Sequence, residues 1–202
     1  MEKKLLVATH NQGKVREFAE MLADMQIEFL SLDDAGITMD VEETGATFRE
    51  NALLKANAYA KETGLLTLAD DSGLEVDALD GAPGIYTARY GGADLTHKER
   101  YSYLLKNLTA VSPENRSARF RCVIVLVAPN GTLLGESEGI CEGMIAQEPA
   151  GDGGFGYDPV FYLPERQKTM AQLPSSTKHQ ISHRGQAVKQ IEPLLREILA
   201  AE

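Results

Sequence analysis

A chain of 202 residues with a formal net charge of -10 is long enough for one large domain or two small lobes sharing a core. That acidic balance argues against a broad electrostatic footprint for nucleic acid, while leaving room for a small phosphorylated ligand held by a few cations or a metal. Cys122 and Cys141 lack CxxC spacing and read as buried thiols of a reducing compartment, and no stretch approaches a membrane span or, after Met1-Glu-Lys-Lys4, a signal segment, so a soluble cytoplasmic protein is expected.

In chain order, Leu5 to Thr9 reads as a first strand. His10 to Gly13 follows as a polar turn, and Lys14 opens a helical pattern with Val15, Phe18, Ala19, Leu22 and Met25 on one face. A strand, a short loop and a helix N-terminus suit an anion, because free backbone N–H groups and the positive end of the dipole point into the loop. Lys14 adds a mobile charge there. A Walker A loop is absent. Ile27 to Leu32 is a second predicted strand, with a turn at Asp33 to Gly36. Glu42-Glu-Thr-Gly45 places paired acids before a loop glycine. Thr47 and Glu50 form a capping-box signature, so a helix should start at Phe48 and stop at Gly64. Asn51 and Lys55 share one face of it, which by itself is most simply a solvated stripe.

Leu65 to Ala69 reads as a buried strand ending on Asp70 and Asp71, with a turn at Ser72-Gly73 and a further strand from Leu74 to Leu79. Neighbouring side chains on a strand point to opposite faces, so the two acids are expected to separate. Gly81-Ala-Pro-Gly84 and Gly91-Gly92 bracket a specific loop. Thr96 and Glu99 cap a helix with Tyr101, Leu104, Leu105 and Leu108 inward. Ser117 to Ala128 and the run to Ile145 form a long hairpin about Pro129-Asn-Gly131. Gly151, Gly153 and Gly156 spell GxGxxG, but a strand rather than a helix should follow, which excludes a dinucleotide fingerprint. The last helix buries Ala187, Val188, Ile191, Leu194, Leu195 and Ile198, and Pro193 should kink or interrupt it. Before it, Lys178, His183 and Arg184 form a cationic cluster around Ser182.

Seven motifs in this order resemble the Ham1/RdgB family, the inosine/xanthosine triphosphate pyrophosphatases that clear non-canonical purine nucleotides. They are Thr9-His-Asn-Gln-Gly-Lys14, Glu42-Glu-Thr-Gly45, Glu50-Asn-Ala-Leu-Leu-Lys55, Ala69-Asp-Asp-Ser-Gly73, Gly81 through Tyr90, Gly154-Phe-Gly-Tyr-Asp-Pro159 and Ile181-Ser-His-Arg184. The resemblance implies one domain over residues 1–202, an α/β fold with a long mixed central sheet flanked by helices, and two lobes with an active-site cleft between them. It implies hydrolysis of ITP, dITP and XTP to nucleoside monophosphate and pyrophosphate, with Mg²⁺ as cofactor, purine nucleoside triphosphates as ligands, a homodimer, and neither nucleic-acid nor membrane partners.

Site roles follow from the same resemblance. The loop Thr9, His10, Asn11, Gln12, Gly13 and Lys14 would hold the triphosphate, with Asn51 and Lys55 nearby. Asp71 would be the general base, and Glu42 and Asp71 the metal carboxylates. Ser72, Phe155, Gly156, Tyr157, Asp158, Lys178, His183 and Arg184 would contact the substrate, those from Phe155 onward around the base. Donors from Lys178, His183 and Arg184 suit a 6-keto oxygen, whereas adenine's amino group would leave them unpaired. His10 stands where many members carry glycine, and Gln172 to Thr177 replace a usually acidic stretch. Two rivals remain: a Maf-like pyrophosphatase for other nucleotides, which the Ser-His-Arg and Phe-Gly-Tyr-Asp motifs oppose, and a nucleotide-binding module without turnover, which intact Lys14, Glu42 and Asp71 oppose.

Overall fold

A computed structural model of the protein describes residues 4–25 and 27–201. Met1, Glu2 and Lys3, the run-up to the first strand, lie outside the described residues, as do Gln26 and Glu202. The elements are β1 (Lys4–Val7), α1 (Gln12–Met21), β2 (Glu28–Ser31), α2 (Phe48–Thr63), β3 (Leu66–Val76), α3 (His97–Asn107), β4 (Ser117–Val127), β5 (Leu133–Ile145), β6 (Phe161–Leu163), β7 (Lys168–Thr169), α4 (Ser175–Ile181) and α5 (His183–Ala201). The strands form one sheet in the order β2-β1-β3-β4-β5-β6-β7. It is mixed: β1 is parallel to β2 and β3, and β6 is antiparallel to β5 and β7. This is the α/β class with a long mixed sheet that the resemblance implied.

The chain groups into two compact units. The first holds the described residues up to Asp71, Cys122–Gly139 and those from Arg184 onward. Leu5 pairs with Leu66 and Val7 with Leu68 across β1 and β3. The two-residue period therefore sets Leu5, Val7 and Leu68 in one cluster with Phe18 and Leu22 of α1 and Ile191 and Leu195 of α5. The alternate residues Leu6, Thr67 and Ala69 are buried as well, as expected of inner parallel strands covered on both faces. Truncating Leu68 to Ala would cost about 2–5 kcal/mol by lost transfer energy and cavity formation. The second unit holds Ser72–Arg121 and Ile140–His183, and its core joins Leu74, Val76, Leu104, Leu108, Phe120, Tyr157 and Phe161.

Several local expectations are corrected. Helix α1 begins at Gln12, two residues before Lys14, because Asn11 caps it. Its inward face is Phe18 and Leu22, while Ala19 is exposed. Ser72-Gly73 is no turn: β3 runs unbroken through both residues, Gly73 adopts no positive φ, and just beyond it the Leu74 N–H is taken up by Thr87 Oγ1 at 2.8 Å. Thr47 caps α2 as expected, yet the Glu50 carboxylate accepts the Ala46 N–H at 2.6 Å instead of closing a box on Thr47. Gly64 ends α2 at φ 66°. Helix α5 is not interrupted at Pro193, and Ile191 and Leu195 pack into the core on either side of it.

Candidate active site

The polar groups of the first unit are built around the last residues of its part of β3. Asp70 is fully buried, and its Oδ2 meets the Lys14 ammonium at 2.9 Å, the Arg184 guanidinium at 3.2 Å and Cys122 Sγ at 3.7 Å. Arg184, also buried, donates to Glu17 of α1 at 2.6 Å. Burial by itself would raise the Asp70 carboxyl, but the charges of Lys14, Arg184 and Lys55 outweigh it and hold the group far below the usual range. Asp70 is thus an ionised, structural carboxylate. Burial pushes the Cys122 thiol up, so it stays protonated against that charge.

Asp71 has different partners, as alternation requires. Asn51 Nδ2 lies 3.3 Å from its Oδ2 and Lys55 Nζ 3.3 Å from its Oδ1. The stripe on α2 that looked solvated is therefore buried and reads into the site. Asn51 is fixed from behind, accepting the Gly45 N–H at 2.8 Å. A side chain at Gly45 would put a Cβ 2.7 Å from that same Asn51 oxygen, so glycine is required for close approach. Lys55 also binds Glu43 at 2.7 Å. Burial raises the Asp71 carboxyl above its ordinary value, against the lowering charges of Lys55 and Lys14 and with help from Glu43 and Asp70. Lys55 is desolvated too, but Asp71, Glu43 and Asp70 keep it an ammonium. A buried carboxylate with raised proton affinity, held by Asn51 and Lys55, is equipped to take a proton from water.

The loop ahead of α1 differs from expectation. Asn11 Oδ1 accepts the N–H groups of Gly13 and Lys14 at 2.9 and 3.2 Å, so those donors are capped within the loop. The Asn11 N–H meets Thr9 Oγ1 at 3.2 Å, and Gln12 donates to Asp33 at 2.9 Å. His10 places Nε2 3.1 Å from the Met39 carbonyl and its ring edge-on to Tyr59. Lys14 is held by Asp70 and is not a mobile charge. The free donors and mobile charge expected of this loop are thus engaged by Asn11 and Asp70.

Ser72 is half-buried in the second unit's part of β3. There Lys178 of α4 is paired with Asp158, and Phe155 N–H also donates to that carboxylate. His183 stacks flat on Phe120 at 4.7 Å between centroids. Gly156 sits at φ 64°, which turns the loop. Tyr157 is a core residue whose hydroxyl donates to the Thr87 carbonyl at 3.0 Å, tying its loop to the 84–89 turn instead of offering a surface hydroxyl. Arg184, expected with Lys178 and His183, belongs to the carboxylate network of the first unit, because the buried Asp70 and Glu17 demand a cation. Glu42, expected as a metal carboxylate, is exposed, and the acid beside the Asp71 cluster is its neighbour Glu43. Among the described residues no cluster of three or more His, Cys, Asp or Glu is arranged to hold a metal.

The Ham1 family model matches residues 5–194. A dITP/XTP pyrophosphatase of Bacillus licheniformis is 49% identical over 96% of this chain and 98% of its own length, and one from Shigella flexneri is 50% identical over 96% and 98%. The chain belongs to the Ham1 family. A solved HAM1 protein from Coxiella burnetii superimposes with a TM-score of 0.86 at 45% identity, covering 96% of this chain and 99% of that one. The Staphylococcus aureus Ham1 protein gives 0.84 at 42% identity, with coverage of 96% and 99%. Within this Ham1 chain, sequence reading overlooked Glu17 and Glu43. The available signals were slight: Glu17 lies three residues after Lys14 on the same helix, and Glu43 adjoins the acid that was chosen.

Proposed function

We propose that the protein hydrolyses the non-canonical purine nucleoside triphosphates ITP, dITP and XTP between the α- and β-phosphates, giving nucleoside monophosphate and pyrophosphate. The observation that carries this reading is the buried Asp71, raised in proton affinity and gripped by Asn51 and Lys55, in a chain about half identical over its length to dITP/XTP pyrophosphatases. Asp71 accepts the proton of the attacking water. Asn51 and Lys55 orient its carboxylate. Lys14 and Lys55 supply positive charge to the phosphates, which can replace their carboxylate partners. In the second unit, Phe155 offers a ring face for the purine, and Lys178 and His183 offer donors for its 6-oxygen.

The donor set suits Mg²⁺. Asp71 and Glu43 converge on Lys55 Nζ at 3.3 and 2.7 Å, and Mg²⁺ takes only one or two protein carboxylates with water and substrate phosphates completing its octahedron. Asp71 and Glu43 would hold it, with Glu42 at the rim, and when bound it neutralises charge developing on the phosphates. The family resemblance adds a homodimer acting in the cytoplasm, which light scattering and fractionation would test.

The deciding experiment is pyrophosphate release with Mg²⁺ across ITP, dITP, XTP, GTP, ATP and dTTP. Preference for the three non-canonical purines is expected. Faster turnover of ATP or dTTP than of ITP would overturn the substrate assignment, and binding without turnover would leave only a nucleotide-binding module.

A further inference from the structure

The segment that carries Glu43 has no helix or strand of its own, since residues 37–45 are irregular. It is laid along one face of α2 instead. Asn51, Lys55 and Tyr59 recur every four residues, so they line one stripe of that helix, and all three are buried. Each holds one point of the passing chain. The Tyr59 hydroxyl donates to the Met39 carbonyl at 3.3 Å, the Lys55 ammonium meets Glu43 at 2.7 Å, and Asn51 Oδ1 accepts the Gly45 N–H at 2.8 Å. Burial, with the Asp40 charge nearby, pushes the Tyr59 phenol up, so it keeps the proton that it donates.

The Met39 carbonyl has a second donor, and it comes from another element. His10, in the loop ahead of α1, sets Nε2 3.1 Å from that oxygen across 29 positions of sequence. A carbonyl can only accept, so this nitrogen carries the hydrogen. Nδ1 faces Asp33 Oδ1 at 4.0 Å, and the ring stands edge-on to Tyr59. The Met39 side chain is exposed, so its carbonyl and not its packing fixes this residue.

We propose that His10 is a positioning residue: by clamping the Met39 carbonyl against α2 it sets the course of the acidic loop, so that Glu43 arrives at Lys55 beside Asp71. This rests on the function proposed above. Ordering an irregular segment costs backbone entropy, and each anchor removes part of that cost from the contact that Glu43 makes itself. With Met39 clamped, only Asp40, Val41 and Glu42 separate an anchored point from Glu43, and Gly45 is anchored on its other side. A carboxylate so bracketed keeps its place, where a shift of about 1 Å would already slow the chemistry.

The test reads hydrogen exchange in the metal-free full chain and kcat/KM for ITP in the Mg²⁺-loaded enzyme. His10→Ala should speed exchange of the Gly45 amide by about threefold or more, the scale of one lost hydrogen bond, and leave the amides of α5 unchanged. His10→Gln keeps a donor at the reach of Nε2 and should restore the protection. His10→Ala should also lower kcat/KM by about threefold or more, yet change nothing in a Glu43→Gln background, because it acts through that carboxylate. Unchanged exchange at Gly45 in His10→Ala overturns the proposal, and a rise that includes α5 overturns it as a general loss of stability. A His10→Gln chain no better protected than His10→Ala counts against it equally. So does an activity loss that persists undiminished in the Glu43→Gln background, which would mean that the imidazole meets the substrate directly. A wild-type protein that ignores ITP would instead sink the proposed function, while the exchange arm still judges the clamp, so the two failures are told apart.

Discussion

The two units use charge in opposite ways. In the first, Lys14, Lys55 and Arg184 interlock with Glu17, Glu43, Asp70 and Asp71, so each cation is already neutralised by carboxylates. In the second, the Lys178–Asp158 pair lies beside the Phe155 ring, and His183 lies flat on Phe120. In the first the carboxyl groups outnumber the cations, so a phosphate that draws Lys14 or Lys55 away leaves a buried carboxylate to be compensated. In the second, a buried ion pair lies among aromatic rings, so flat ring faces stand beside the charge. Interlocked charge marks the first region, and a charge pair among aromatic rings marks the second.

The largest expected effect breaks the first region at its reactive member. Asp71→Asn should lower kcat by about 10²–10⁴-fold, the range for a general base, with the fold retained by circular dichroism. Near-normal pyrophosphate release from this variant would remove Asp71 from the mechanism. Asp70→Asn strikes the adjacent acid with a different outcome, because it removes the counter-charge that the half-buried Lys14 and the buried Arg184 share. A loss of about 3–5 kcal/mol in urea unfolding at pH 7 is expected. The sign follows from its depressed carboxyl: the contribution is fully present above the unfolded value of about 3.9 and is lost as pH falls through the lower folded value. The gap from wild type should therefore narrow below about pH 4. Equal stability at pH 7 would mean that the network does not bind the first unit together.

Smaller effects sharpen the contrast. Lys14→Ala should raise KM for the triphosphate by about tenfold or more with less change in kcat, and an unchanged KM would separate the α1 loop from phosphate binding. Lys55→Met removes a charge that lowers the Asp71 carboxyl, so the acidic limb of the kcat/KM profile should move to higher pH. A limb that stays in place would show that Asp71 does not set it. Asn11→Ala, which uncaps α1, should cost about 1 kcal/mol in thermal unfolding, and no loss would count against the cap.

Periodicity and punctuation made much of the architecture legible. The alternation in β4 and β5, the Thr47 and Thr96 caps, Gly64 and the apolar stripe of α5 all stand close to where local chemistry puts them, because each depends on neighbours a few residues away. The strand through Ser72-Gly73 was not legible, since whether turn-prone residues stay extended depends on partners distant in sequence, such as Thr87, which takes up the Leu74 N–H. Residue order alone also brought out the family motifs, and with them Asp71, Lys14 and Lys55 as candidates. The pairing of those groups was beyond it. That Asp70 takes Lys14 and Arg184, that Glu43 rather than Glu42 reaches Lys55, and that Tyr157 turns inward to Thr87 were decided by tertiary structure alone. The reason is physical: buried charges and hydroxyls find partners by distance in space, and those partners come from helices and strands far away in the chain.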